Sequence, residues 1–169
     1  MRAAEAILDP TADDHASRSG QRSDDAPAPI SALVVDDERL FAEALSAALE
    51  QDGISVDRIV SSEVDAIEAA RERMPDVVIL IVETPSHVEL RAGQVILDAC
   101  PTSRVLVLAT KLDRTHMQRV LRGGFHACLS KDTSISKLVR TMRTIANGTT
   151  FLRADLRTRS SSGRRTEPT

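Results

Sequence analysis

Six consecutive aliphatic residues, Val77 to Val82, constrain this chain more than any other stretch. A run that short, mostly β-branched and without a polar break has no wet face. It fits a central strand covered by helices on both sides. A second aliphatic run, Leu33-Val34-Val35, stops at Asp36-Asp37-Glu38, and helical spacing begins at once. In an open α/β sheet the carboxyl ends of the strands are the ligand-binding edge. Three acids there attract a cation and repel a bare phosphate. No glycine-rich loop follows to cradle a phosphate on backbone N–H groups.

Around these two runs the chain alternates. Leu40, Phe41, Ala44, Leu45, Ala48 and Leu49 recur at helical spacing, and Gly53 ends that helix. Ile54 to Val60 reads as a strand. Glu63 to Met74 reads as a helix burying Val64, Ile67 and Ala70, closed by Pro75. After a loop at residues 83–87, Val88, Val95, Ile96 and Ala99 anchor a third helix, interrupted by Gly93. Val105 to Ala109 is a fourth strand, and Asp113 to Arg122 a helix burying Met117, Val120 and Leu121. His126 to Leu129 is a short fifth strand. Ser134 caps a last helix that buries Ile135, Leu138, Val139, Met142 and Ile145.

Five strand–helix units predict an α/β fold, a flavodoxin-like doubly wound parallel sheet of order 2-1-3-4-5 with helices on both faces. The domain spans 30–152. Residues 1–29, with six acids against three arginines and scattered prolines, read as a disordered arm. Residues 153–169, with five arginines against two acids, read as a basic disordered tail or linker. A net charge of −3 and the absence of Trp and Tyr argue against nucleic-acid binding by this chain. No run approaches the roughly 18 apolar residues of a membrane span, so a cytoplasmic, membrane-free protein is expected. Cys100 and Cys128 show no metal or redox spacing and read as buried thiols.

Several segments in this order resemble a response-regulator receiver domain of the NarL/LuxR type, over about residues 30–152. They are Val34-Val35-Asp36-Asp37-Glu38-Arg39-Leu40-Phe41, Pro75-Asp76-Val77-Val78, Val105-Leu106-Val107-Leu108, Leu121-Arg122-Gly123-Gly124, Leu129-Ser130-Lys131-Asp132 and Ile145-Ala146-Asn147-Gly148-Thr149. The resemblance implies a two-component phosphorelay site. Asp36 and Asp37 would hold Mg²⁺, an aspartate ending the third strand would accept the phosphoryl group, and Lys131 with a Thr or Ser on the fourth strand would bind its oxygens. The chain departs from that pattern. Ile81 stands at the phosphoacceptor position, and a hydrocarbon cannot form an acyl phosphate. Ala109 replaces the Thr/Ser, with Thr110 beside it, and Cys128 replaces the aromatic switch residue.

Two readings of Asp36 and Asp37 stand side by side: a weak, vestigial divalent-cation site, or a structural frame in which they pair with Lys131 and cap the first helix. The second is preferred. Glu83, two residues beyond Ile81, is either a phosphate-mimicking charge near Lys131 or a solvated loop carboxylate. His87 and His126 are isolated and read as loop or strand-edge residues. No catalytic set assembles, so no enzyme activity is expected. The expected function is that of a degenerate receiver working in signal transduction and transcriptional regulation through protein–protein contact. It would form a homodimer, or a heterodimer with another regulator, through the fourth helix, fifth strand and fifth helix. Arg114, Arg119, Lys137, Arg140 and Arg143 would give that face its charge. One alternative is the receiver portion of a DNA-binding regulator without its helix-turn-helix output domain. Another is a small-molecule-sensing flavodoxin-like module.

Overall fold

In the computed structural model, residues 28–148 are described, and β3 (Val77–Val82) is buried along its whole length. It pairs in parallel with β1 (Ile30–Val35) on one side and β4 (Arg104–Ala109) on the other. β2 (Ile54–Val60) and β5 (Ala127–Ser130) complete the order β2-β1-β3-β4-β5. The helices are α1 (Arg39–Gln51), α2 (Glu63–Arg73), α3 (Arg91–Ala99), α4 (Arg114–Arg122) and α5 (Ile135–Ala146). The expected fold class and strand order are the observed ones. The expected arm falls almost wholly, and the expected tail entirely, outside the described residues.

Alternation along each strand divides the core into two layers. Leu33, Val35, Val78, Leu80, Val105 and Val107 pack under α2, α3 and α4. Ala32, Val34, Ile79, Ile81, Leu106 and Leu108 pack under α1 and α5. Each fully buried aliphatic side chain contributes roughly 1.5–3 kcal/mol, so these two layers supply most of the drive to fold. Ser62, Asp113 and Ser134 cap α2, α4 and α5, each accepting a backbone N–H three residues on.

Several helix faces differ from their sequence expectation. Leu40 (82% exposed), Val64 (72%), Val88 (82%) and Leu121 (39%) face solvent, as do Ala44 and Ala99. On α1 the small Ala42 and Ser46 are buried beside the expected Leu45 and Leu49, and on α2 the buried stripe is Ala66, Ala69 and Ala70. Small side chains let a helix axis approach the sheet, so on α2 the stripe that packs is not the one with the largest residues. β1 begins at Ile30, three residues earlier than expected. Ser31 is tied there to Asp76, its N–H and hydroxyl both reaching Asp76 Oδ2 at 2.9 and 3.1 Å.

Gly93 does not break α3. A Cβ there would lie 2.5 Å from the Phe125 ring, and one on Gly123 would lie 2.8 Å from it. The two glycines therefore make the slot in which Phe125, 1% exposed, is buried.

His126 lies just before β5. Its Nδ1 accepts the Val105 N–H at 3.1 Å, and Arg104 Nη1 lies 3.1 Å from Nε2. Burial first, and the Arg104 charge second, hold the imidazole below its ordinary value. A folded-state pKa below the unfolded one means stability that is present above about pH 6.5 and lost as pH falls through the folded value. The wild-type chain is therefore expected to lose more stability than His126→Gln between about pH 7 and 5. Paired urea titrations across that range check this; parallel pH profiles would contradict it.

Candidate functional site

The carboxyl ends of β1, β3 and β5 meet at a pocket of about 310 Å³. β1 delivers Asp36 and Asp37, β3 delivers Ile81 and Glu83, and β5 delivers Lys131. The register places Ile81 opposite Leu108 and Val82 opposite Ala109, with Ala109 opposite Ser130. The residues singled out from sequence around the acidic pair thus converge. Cys128 and Ala109 do not line the pocket and lie in the core layer under α2–α4.

Asp36 is 4% exposed. Its Oδ1 accepts the Glu38 N–H at 3.0 Å, while Oδ2 is buried without a hydrogen-bond partner. Burial lifts this carboxyl above its ordinary value, opposed by the Glu38 N–H and by the Lys131 charge. Asp37 is exposed.

The expected pairing of Lys131 with the aspartates is corrected by the geometry. Lys131 Nζ donates to Glu38 Oε1 at 3.1 Å and lies 4.2 Å above the Phe41 ring. Glu38 and Phe41 stand three residues apart at the start of α1, so carboxylate and ring present themselves together. That i, i+3 spacing was the available sequence signal for these two partners. The expected capping of α1 is met only in part. The Asp36 side chain holds the N–H of Glu38, the N-cap residue, but no side chain caps the helix itself.

Glu83 likewise departs from expectation. It is ion-paired with Lys111 at 2.6 Å rather than with Lys131, and a backbone bond from Lys111 N to Glu83 O fixes the two loops. Lys111 holds the Glu83 carboxyl below its ordinary value. Both side chains are 66% exposed, so solvent screens the pair and it adds little stability. Thr110 lies past the end of β4 and is exposed, its N–H bound to Val82 O. Burial pushes the Cys128 thiol up to about 12, which keeps it protonated and unreactive at neutral pH. His87 is exposed and lines a separate groove between α3 and α4.

A divalent ion at this edge would rest on two carboxylates at most, Asp36 and Asp37, with waters completing its shell. Among the described residues no group of three His, Cys, Asp or Glu side chains is placed to hold a metal. Ile81 puts hydrocarbon, 7% exposed, on the pocket floor beside the acidic pair.

A doubly wound parallel sheet with an acidic pair and a lysine at its carboxyl edge defines the receiver class of signalling folds. The chain belongs to the response regulator receiver domain family, whose model matches residues 32–143. The transcriptional regulatory protein DesR of Bacillus subtilis is 27% identical over 120 residues, covering 70% of this chain and 59% of DesR. LnrK of the same organism is 26% identical over 128 residues, covering 75% of this chain and 58% of that protein. The chain thus spans less than two thirds of the length of these curated relatives. The signal receiver domain of the putative response regulator NarL from Mycobacterium tuberculosis superposes with a TM-score of 0.62 at 24% identity. That match covers 72% of this chain and 99% of the other. At such identity the likeness speaks for the fold. Among the described residues no helix is long and apolar enough to cross a membrane.

Proposed function

We propose that this chain is a receiver that works without phosphorylation, passing on its signal by binding other proteins. Ile81 carries the reading, because a buried hydrocarbon stands where the family chemistry needs a carboxylate. Two further features support it. Ala109 gives no hydroxyl to a phosphate oxygen, and Lys131 is held by Glu38 and Phe41 rather than poised over the floor. Incubation with acetyl phosphate and Mg²⁺, or with a phosphorylated kinase domain, is expected to leave the protein unlabelled. Clear Mg²⁺-dependent labelling would overturn the reading.

The partner surface we assign is α4, β5 and α5, used for a homodimer or a heterodimer with another regulator. Its basic residues are not all available. Arg119 donates to Pro85 O at 2.8 Å on one side, and Arg143 donates to Asp52 O at 2.8 Å on the other. Arg114 and Arg140 are exposed. A second reading, that these residues are the receiver portion of a DNA-binding regulator, is favoured by the similarity to the transcriptional regulatory proteins DesR and LnrK. Sequence-specific DNA binding by the full-length gene product, but not by residues 1–169 alone, would support the second reading.

A further inference from the structure

We propose that the groove between α3 and α4 is a binding site for a small organic anion, a carboxylate or phosphate ester carried on an apolar body. Its volume is about 460 Å³, within the range of roughly 300–1,000 Å³ found for small-molecule sites. Two guanidinium groups line it, those of Arg119 and Arg122, and no carboxylate does. Arg122 is exposed and makes no hydrogen bond or ion pair among the described residues. Arg119 is half-buried, and Nη1 donates to Pro85 O at 2.8 Å. That bond fixes the side chain while using only one of its N–H donors.

The chemistry of the wall selects the ligand. A planar guanidinium fork matches the paired oxygens of a carboxylate or phosphate, and Arg119 offers its fork already anchored. Such preorganisation lowers the entropic cost of binding. Leu90 and the stems of the long side chains make most of the remaining wall apolar. Bare phosphate would leave that wall wet, so the ligand needs hydrocarbon as well as charge. The groove is also built into the fold. Gln94 Nε2 donates to Gly123 O at 2.8 Å and so clasps α3 to the end of α4. Phe125 sits against both Gly93 and Gly123, which fixes the spacing of the two helices.

One loop borders both cavities of this end of the molecule. His87 and Leu90 line the groove, while Glu83, Val88 and Glu89 line the acidic pocket. Arg119 reaches the same loop through Pro85 O. An anion drawn to Arg119 therefore acts on the segment that also carries the Glu83–Lys111 ion pair. In a receiver that takes no phosphoryl group, such a ligand supplies the chemical input. That use rests on the reading given above; the binding site itself does not.

The test titrates naphthoate, its uncharged amide and inorganic phosphate into the full chain, followed by backbone amide NMR. Naphthoate is expected to give saturable shifts at residues 86–94 and 115–123, reaching Glu83 and Lys111 through the loop. The amide lacks the charge and phosphate lacks the hydrocarbon, so each should bind at least about tenfold more weakly. Arg122→Gln removes a side chain with no bond elsewhere among the described residues and should weaken naphthoate roughly five- to tenfold. Equal binding of acid and amide, an unchanged affinity in R122Q, or shifts scattered over the surface would overturn the proposal. Saturable shifts from a glutamate-rich helical peptide with none from naphthoate would overturn it in favour of a protein ligand. Shifts that stop within α3 and α4 would keep the site and refute its link to the loop. Phosphoryl labelling of a chain that binds naphthoate would keep the site and refute its use as the substitute input. An unlabelled protein that ignores naphthoate would refute the site alone and leave the preceding reading standing.

Discussion

Ile81→Asp is expected to lower stability by about 3–5 kcal/mol in metal-free buffer near neutral pH, and to recover much of that loss on adding millimolar Mg²⁺. Ile81 is 7% exposed and packs in the layer under α1 and α5. The substitution removes its buried hydrocarbon and places a third carboxylate beside Asp36, whose Oδ2 already lacks a donor. Repulsion among three acids in a poorly solvated pocket is relieved either by protonation or by a divalent ion. Stability of the variant should therefore rise as pH is lowered through the carboxylate range, and rise with Mg²⁺ at constant pH. The wild-type chain should show no Mg²⁺ response. Urea midpoints in EDTA and in Mg²⁺ read both. An equal Mg²⁺ response in the two proteins would mean that Asp36 and Asp37 already hold the ion without a third ligand. Labelling of the variant by acetyl phosphate would show in addition that Lys131 can leave Glu38 and Phe41 to meet a phosphate.

Phe125→Ala should cost about 3–5 kcal/mol, because the slot around the ring cannot close. The chain has three Phe and no Trp or Tyr, and Phe125 is 1% exposed. Its ring fills space that two glycines keep open, with a Cβ on Gly93 meeting it at 2.5 Å and one on Gly123 at 2.8 Å. Gly93→Ala alone should cost about 1–3 kcal/mol through overpacking. The pair Gly93→Ala with Phe125→Leu should lose less than the sum of its single changes, since the smaller side chain makes room for the new methyl. Equilibrium unfolding of the four proteins gives the coupling. Strict additivity would mean that α3 shifts away from the ring instead of pressing on it.

The parallel sheet was legible because its strands are short, unbroken aliphatic runs. Val77–Val82 can be little else, and Ile54–Val60 agrees with its sequence boundaries to the residue. The rotation of the helices was harder to read. Ala42, Ala66 and Ala69 carry no strong apolar signal, yet they are fully buried, while the larger Leu40 and Val64 are exposed. Periodicity weighs side chains by hydrophobicity, whereas close approach to a sheet is decided by size. Gly93 looked like an interruption of its helix because its function is to accommodate a residue 32 positions away, which no local pattern contains.

In the site, the sequence alone determined which groups are present: two aspartates and a lysine at the carboxyl edge, and a hydrocarbon where the chemistry of the family would need an acid. Those are properties of single residues on strands whose order follows from their pattern. Only the tertiary structure decided how the charges pair. Lys131 goes to Glu38 and Phe41, Glu83 goes to Lys111, and Asp36 keeps one buried oxygen without a donor. Charge pairing depends on ångström-scale distances between loops far apart in sequence, and hydrophobic periodicity carries no information about those distances.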